Sequence, residues 1–154
     1  MKNEMVRLTT MNDFPEWLKL AREVEPLFGP MADEPEFLFG LRLVILEGNA
    51  FCFAEKKENF FGGIVISKGT NEIVWLAVVK HSRGCKIGTA LLSEAIKHLD
   101  HTNPIMVRTF DKAAEAGIPA RRLYKSFGFC DSFDAGLNSV GIPTVIMTME
   151  INKV

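Results

Sequence analysis

From Glu72 the chain reads Glu-Ile-Val-Trp-Leu-Ala-Val-Val, then Lys80-His81-Ser82-Arg83-Gly84-Cys85-Lys86-Ile87-Gly88, then Thr-Ala-Leu-Leu-Ser-Glu-Ala-Ile-Lys. The run from Ile73 to Val79 has no polar face. Glu72 to Val79 is therefore expected as a strand apolar on both sides, near the centre of a sheet. A turn carrying Gly84 and Gly88 follows. Ile87, Ala90, Leu91, Ala95 and Ile96 then recur at helical spacing and predict a helix from about Lys86 to Leu99. The first turn of a helix holds unpaired N–H groups and the positive end of the dipole. Small residues there let a phosphate come close. Arg83 and Lys86 add positive charge, and Thr89 adds a hydroxyl donor. The segment Arg83, Gly84, Cys85, Lys86, Ile87, Gly88 and Thr89 is thus expected to bind a pyrophosphate. A plain strand-to-helix turn, with glycines serving backbone shape alone, has the same letters.

The rest of the chain supplies one domain over residues 1–154 around this centre. Met5 to Thr9 reads as a first strand. Asn12 or Asp13 caps a helix with Pro15 in its first turn, and Glu25-Pro26-Leu27-Phe28-Gly29-Pro30 breaks it. A second helix is expected from about Glu34 to Ile45, closed by Gly48-Asn49. Strands are expected over Ala50–Glu55 and Phe60–Ser67, joined as a hairpin by Lys56-Lys57-Glu58-Asn59. Lys68 to Asn71 forms the next turn. Beyond the central helix come a strand over Ile105–Phe110, a short helix over Pro119–Phe127 ended by Gly128, and a β pair over Phe129–Phe133 and Thr144–Ile151. The order is β-α-α-β-β-β-α-β-α-β-β. That is an α+β fold, a mixed and largely antiparallel central sheet with helices on both faces.

Charge and cysteine content exclude several function classes. Formal net charge is -1 over 154 residues, so no basic field exists to attract nucleic acid. The longest apolar run falls far short of the roughly 20 residues of a membrane span, and Met1 to Met5 lacks the apolar stretch of a signal peptide. Cys52, Cys85 and Cys130 are odd in number and far apart, which argues against a disulfide framework and a CxxC metal site. A reducing cytoplasm is the expected compartment. His98 and His101 share a helical spacing without a third ligand, so no metal site is expected.

Two motifs carry a resemblance. Arg83 and Gly88 match the first and last positions of Arg/Gln-x-x-Gly-x-Gly/Ala, with Lys86 where the first glycine is usual. Ala120-Arg121-Arg122-Leu123-Tyr124-Lys125-Ser126-Phe127-Gly128-Phe129 is similar to Ala-x-x-Leu-Tyr-x-x-x-Gly-Phe. Both belong to the GNAT superfamily of N-acetyltransferases, which the chain resembles along nearly its whole length. The resemblance implies the acyl-CoA N-acyltransferase fold, acetyl-CoA as co-substrate, and an amine acceptor that is a small molecule or a peptide.

Further roles follow from the resemblance. The strand before the glycine turn splays from its neighbour at a bulge in this family. Its free backbone groups hold the pantetheine arm and the acyl carbonyl, by position at Leu76, Ala77 and Val78. Tyr124, the one tyrosine, is implied as the general acid for the leaving thiolate. Glu72 stands where some histone-acetylating members carry a base, acting through water. Glu23, Glu25 and Phe28 lie in the segment that walls the acceptor cleft. The residues alone leave other readings open: a packed tyrosine, a solvated Glu72, a surface acidic patch. A CoA-binding sensor or interaction module without turnover is the alternative function, favoured by Lys86 in the glycine position. A homodimer is compatible with the sequence.

Overall fold

The computed structural model describes residues 5–55 and 59–150. Its elements run β1 (Val6–Leu8), α1 (Phe14–Phe28), α2 (Pro35–Leu46), β2 (Ala50–Ala54), β3 (Phe60–Ser67), β4 (Glu72–Val78), α3 (Ile87–Lys97), β5 (Ile105–Phe110), α4 (Ile118–Ser126), β6 (Phe129–Leu137) and β7 (Pro143–Met149). One seven-stranded sheet has the order β1-β2-β3-β4-β5-β7-β6. Every neighbouring pair is antiparallel except β4 with β5. The α+β order expected from sequence is the observed one, and β4 lies at the centre.

The sheet is covered on both faces. Ile64, Ile73, Ile105, Val107 and Met147 pack against Leu91, Leu92 and Ala95 of α3 and Tyr124 of α4. On the other face Ala50, Cys52, Val65 and Ala77 pack against Trp17, Leu20 and Ala21 of α1 and Leu41 and Ile45 of α2. Alternating side chains make both cores from the same strands. Gly63 gives Trp17 its seat: a Cβ there would lie 2.5 Å from the indole ring. Trp17 is almost wholly buried and donates its indole N–H to Thr9 Oγ1 at 3.2 Å.

The structure departs from the sequence expectations in two places, in β4 and in β6. The first long helix ends inside the expected breaking segment Glu25 to Pro30, running to Phe28 and stopping at Gly29, whose φ is 100°. Pro26 sits in the last turn, where its missing N–H removes only one helical bond, and burial of the apolar face outweighs it. β4 is central but not buried on both faces, because Val74 is 54% exposed. Val65 pairs with Trp75 and Ile66 with Ile73, so Val74 is the extra residue of a β-bulge. β6 extends to Leu137, four residues beyond the expected Phe133. Its bulges near Ser132 and Ala135 and its polar residues mask the strand pattern. The expected hairpin residues Lys56 to Glu58, and Ile151 of the last strand, lie outside the described residues. No helix among the described residues is long and apolar enough to cross a membrane.

Two glycines predict opposite outcomes. Gly63→Ala drives a methyl into the Trp17 ring and is expected to destabilise by about 1–3 kcal/mol. Gly40, inside α2, has nothing within 4 Å of a Cβ position. Gly40→Ala is therefore expected to stabilise by up to about 1 kcal/mol through helix propensity. Urea denaturation of both variants measures the contrast.

Candidate active site between β4 and β5

β4 and β5 pair only at Glu72 with Met106 and Ile73 with Val107. Beyond these, β4 stays on β3 through Leu76 with Ile64, Ala77 with Gly63 and Val78 with Gly62. A gap therefore opens between β4 and β5 from Val74 onward. The closed end is tied by Asn71. Its Nδ2 donates to the carbonyls of Asp100, Asn103 and Pro104 at 3.0, 3.3 and 3.0 Å. Its Oδ1 accepts the Asp100 N–H at 2.7 Å.

Backbone alternation decides which groups face the gap. Val79 donates its N–H to Phe61 of β3 at 2.9 Å. Successive strand residues turn their N–H and C=O to opposite edges, so Ala77 also faces β3. The Ala77 carbonyl indeed lies 2.9 Å from a Cβ placed on Gly62. Leu76 and Val78 thus present their backbones to the gap, while Ala77, the third expected residue, turns its backbone away. Arg83 Nε donates to the Val78 carbonyl at 3.3 Å, which draws this arginine over the gap's end.

The turn brings α3 to this end of β4. Lys86 caps α3 in the left-handed conformation, with φ 63° and ψ 22°. That is the backbone shape for which glycine is favoured, so Lys86 keeps the shape at a conformational cost. Arg83, Gly84, Cys85, Lys86 and Thr89 are exposed at the helix start, and Ile87 is buried beneath them. Gly88 also has a packing use. A Cβ there would lie 3.1 Å from Leu123 Cδ2, so its small size seats α3 against α4.

Tyr124 is buried on α4, edge-on to Phe129 at 5.6 Å between centroids. It belongs to the core cluster against which the Leu76 and Val78 side chains pack. Burial pushes its phenol above the ordinary range, so the O–H stays protonated. Glu72 begins β4 at the closed end, accepting the Thr70 hydroxyl at 2.6 Å. Four strand residues, roughly 13 Å, separate it from Leu76.

The acidic residues expected along the cleft are engaged by backbone. Glu23 Oε2 accepts the Lys80 N–H at 2.8 Å. Glu25 Oε2 accepts those of Met31 and Ala32 at 2.7 and 2.9 Å, which holds its carboxyl below the usual range. They shape the α1–α2 connection and the β4 exit. Phe28 packs edge-on to Trp75 and Phe110, with centroids 6.1 and 5.8 Å apart, and so fills the α1 side of the gap.

Sequence reasoning missed three contributors: Asn71, Trp75 and Asn138. Asn138, in the β6–β7 connection, donates Nδ2 to the Leu27 carbonyl at 2.9 Å and straps that loop to the end of α1. The run Leu-Asn-Ser-Val-Gly held the turn signal for it. His98 Nε2 lies 2.9 Å from Glu94, and His101 Nε2 lies 2.7 Å from the Ile96 carbonyl, so the two rings have separate partners. Among the described residues no group of three His, Cys, Asp or Glu could hold a metal ion.

A splayed parallel pair in an otherwise antiparallel sheet, with a helix starting at the splay, is the acyl-CoA N-acyltransferase fold. The chain belongs to the GNAT acetyltransferase family: the model of the acetyltransferase (GNAT) domain matches residues 40–151. Solved structures share the fold at low identity. Ard1 from Thermoplasma volcanium has a TM-score of 0.75 at 16% identity, over 96% of this chain and 97% of that one. NAA60 of Arabidopsis thaliana, in complex with a bisubstrate analogue, has 0.72 at 18%, over 97% and 98%. A chain of the NatC complex, bound to Gag peptide and CoA, has 0.72 at 16%, over 96% and 98%. No curated protein sequence matches the chain.

The cap of α3 yields a prediction. Lys86→Gly relieves a left-handed backbone and is expected to stabilise the fold by about 1 kcal/mol. Chemical denaturation at constant salt measures it, and an unchanged midpoint would place the strain elsewhere.

Proposed function

We propose that the chain, as a single cytoplasmic domain, transfers an acetyl group from acetyl-CoA to a primary amine by direct attack in a ternary complex. The observation that carries this reading is the β4–β5 gap, with Leu76 and Val78 backbones facing it and the start of α3 at its end. Family membership supports an acetyltransferase. The bisubstrate analogue on NAA60 and the peptide with CoA on NatC support bringing both ligands to this chain.

Arg83, Lys86, the Thr89 hydroxyl and the first N–H groups of α3 fit a pyrophosphate. Backbone groups at Leu76 and Val78 fit an amide-bearing arm and a thioester carbonyl. The amine lone pair attacks the carbonyl carbon, and the carbonyl electrons move to oxygen. An N–H facing the gap stabilises that oxyanion. The C–S bond then breaks, and Tyr124 gives the departing sulfur its proton. Burial raises the proton affinity of the phenol, so the hydroxyl carries its proton until the sulfur departs. Before the attack Glu72, through water, takes the proton from the acceptor's ammonium and so frees that lone pair.

Calorimetry with CoA tests the foundation. Arg83→Ala is expected to weaken CoA more than pantetheine, because only CoA brings phosphates; equal losses remove the phosphate assignment. Release of free thiol from acetyl-CoA with amines tests turnover. On a good acceptor Tyr124→Phe is expected to lower kcat about 100-fold while CoA affinity holds. Glu72→Gln is expected to recover its rate at high pH, where the amine is already free. Full activity of Tyr124→Phe makes the tyrosine a packing residue.

A further inference from the structure

On the α1/α2 face, a cavity of about 340 Å³ lies between α2 and the bulge of β4. Phe37, Leu41 and Val44 of α2 face Val65, Val74 and Trp75 across it, and no basic residue among the described residues lines it. Its size is that of a small-ligand pocket.

Two features show that the fold itself does not require this cavity. Val74 is an apolar residue of the central strand left 54% exposed. The bulge turns it toward the cavity, whose wall it helps to form. Gly40 also lines the cavity from the middle of α2. Its backbone is helical, without a positive φ, and a Cβ there would meet nothing within 4 Å. Neither conformation nor packing asks for glycine at a position where every residue but proline makes a better helix. What the missing side chain does is leave the cavity open. Gly88, the glycine at the start of α3, differs, since Leu123 presses on it.

The cavity also has a place relative to the gap. Val74 and Trp75 immediately precede Leu76, so its inner wall lies within two strand residues, roughly 7 Å, of the proposed acyl site. Glu36 lines the cavity and is exposed. Glu72, one strand alternation before Val74, brings a second carboxylate to the same sheet face. Apolar walls with the Glu36 carboxylate at their edge, and Glu72 further along the same sheet face, complement an ammonium group joined to an apolar body.

We infer that the acceptor is a primary amine bearing a bulky apolar group, aromatic or branched aliphatic, a few bonds from its nitrogen, and that this group occupies the α2–β4 cavity. The inference rests on the acetyltransferase reading. The same chemistry is found in a small alkyl- or arylalkylamine and in a polypeptide N-terminus that begins with a large apolar residue.

Thiol release from acetyl-CoA by the full chain tests this with both sources. One arm compares 2-phenylethylamine and isopentylamine with ethanolamine and spermidine. The other compares peptides beginning with Phe or Leu with peptides beginning with Gly or Asp. The apolar member is expected to win in at least one arm, by ~30-fold in kcat/KM for a buried phenyl or isobutyl group. The winning arm names the source. Gly40→Leu fills the cavity and is expected to raise KM for the apolar acceptor at least tenfold while CoA affinity stays put. Val44→Phe fills it from another position should Gly40→Leu fail to fold. Preference for the polar amines and Gly- or Asp-peptides, with Gly40→Leu silent, overturns the cavity assignment and leaves the acetyltransferase reading standing. CoA binding with no acetylation of any amine overturns the acetyltransferase reading, and the inference with it.

Discussion

The structure depends on a parallel strand pair that forms and then stops. Glu72 and Ile73 reach β5, and Val74 does not. Two parallel pairings are too few to hold against a twist that separates the strands, so the closed end has a clamp. Asn71 supplies it, with one side-chain amide bonded to three carbonyls of the α3–β5 connection. It does so from a left-handed backbone, φ 55°, which asparagine adopts more readily than most residues. Asp100 stiffens the far side of the clamp. The Thr102 hydroxyl and N–H and the Asn103 amide hold its carboxyl at about 2, so it is charged at any ordinary pH.

The bulge at Val74 converts this opening into two distinct surfaces. Before it, β4 alternates in step with both neighbours. After it, β4 follows β3 alone, with the Leu76 and Val78 backbones aimed at the gap. The extra residue also places Val74 and Trp75 side by side on the α2 face. A single inserted residue therefore serves both sides of the proposed reaction, exposing backbone polar groups toward α3 and apolar side chains toward α2. The helices lock the arrangement through backbone contacts. Glu23 of α1 holds the Lys80 N–H just past β4, and Arg83 returns to the Val78 carbonyl.

Much of this was legible in the sequence because periodicity and turn chemistry are local. The apolar run after Glu72, the glycine turn and the spacing in α3 give the strand-turn-helix unit without any tertiary information. Tyr124 and Gly128 were readable as part of one segment. What the sequence did not disclose depends on partners far along the chain. Asn71 looks like any turn asparagine until the chain near Asp100 arrives beside it. Glu23 and Glu25 look like free carboxylates until the backbone they cap is in place. Whether Ala77 or its neighbours face the gap turns on register with β3, and register is not written in β4 alone. The end of β6 was hidden because bulges break the alternation by which strands are recognised.

The aromatic residues explain why the gap is open toward the α3 side and filled on the other. Phe60, Trp17, Trp75, Phe28 and Phe110 form a chain of ring contacts, with centroids 5.4–6.1 Å apart, from β3 to the end of β5. Phe28 bridges Trp75 of β4 and Phe110 of β5, and so spans with side chains the distance that backbone no longer spans. Such a bridge keeps the diverging strands at a fixed separation without consuming the N–H and C=O groups of Leu76 and Val78. Asn138 then fastens the β6–β7 loop to the carbonyl of Leu27, next to Phe28. The loop on the far edge of the sheet is thereby coupled to the ring that sets the width of the gap. Gly29 makes room for this contact, since a side chain there would collide with Ser139. Packing on the α1 face and hydrogen-bonding capacity in the gap are thus kept separate, which is the condition for a sheet that is both stable and open at its centre.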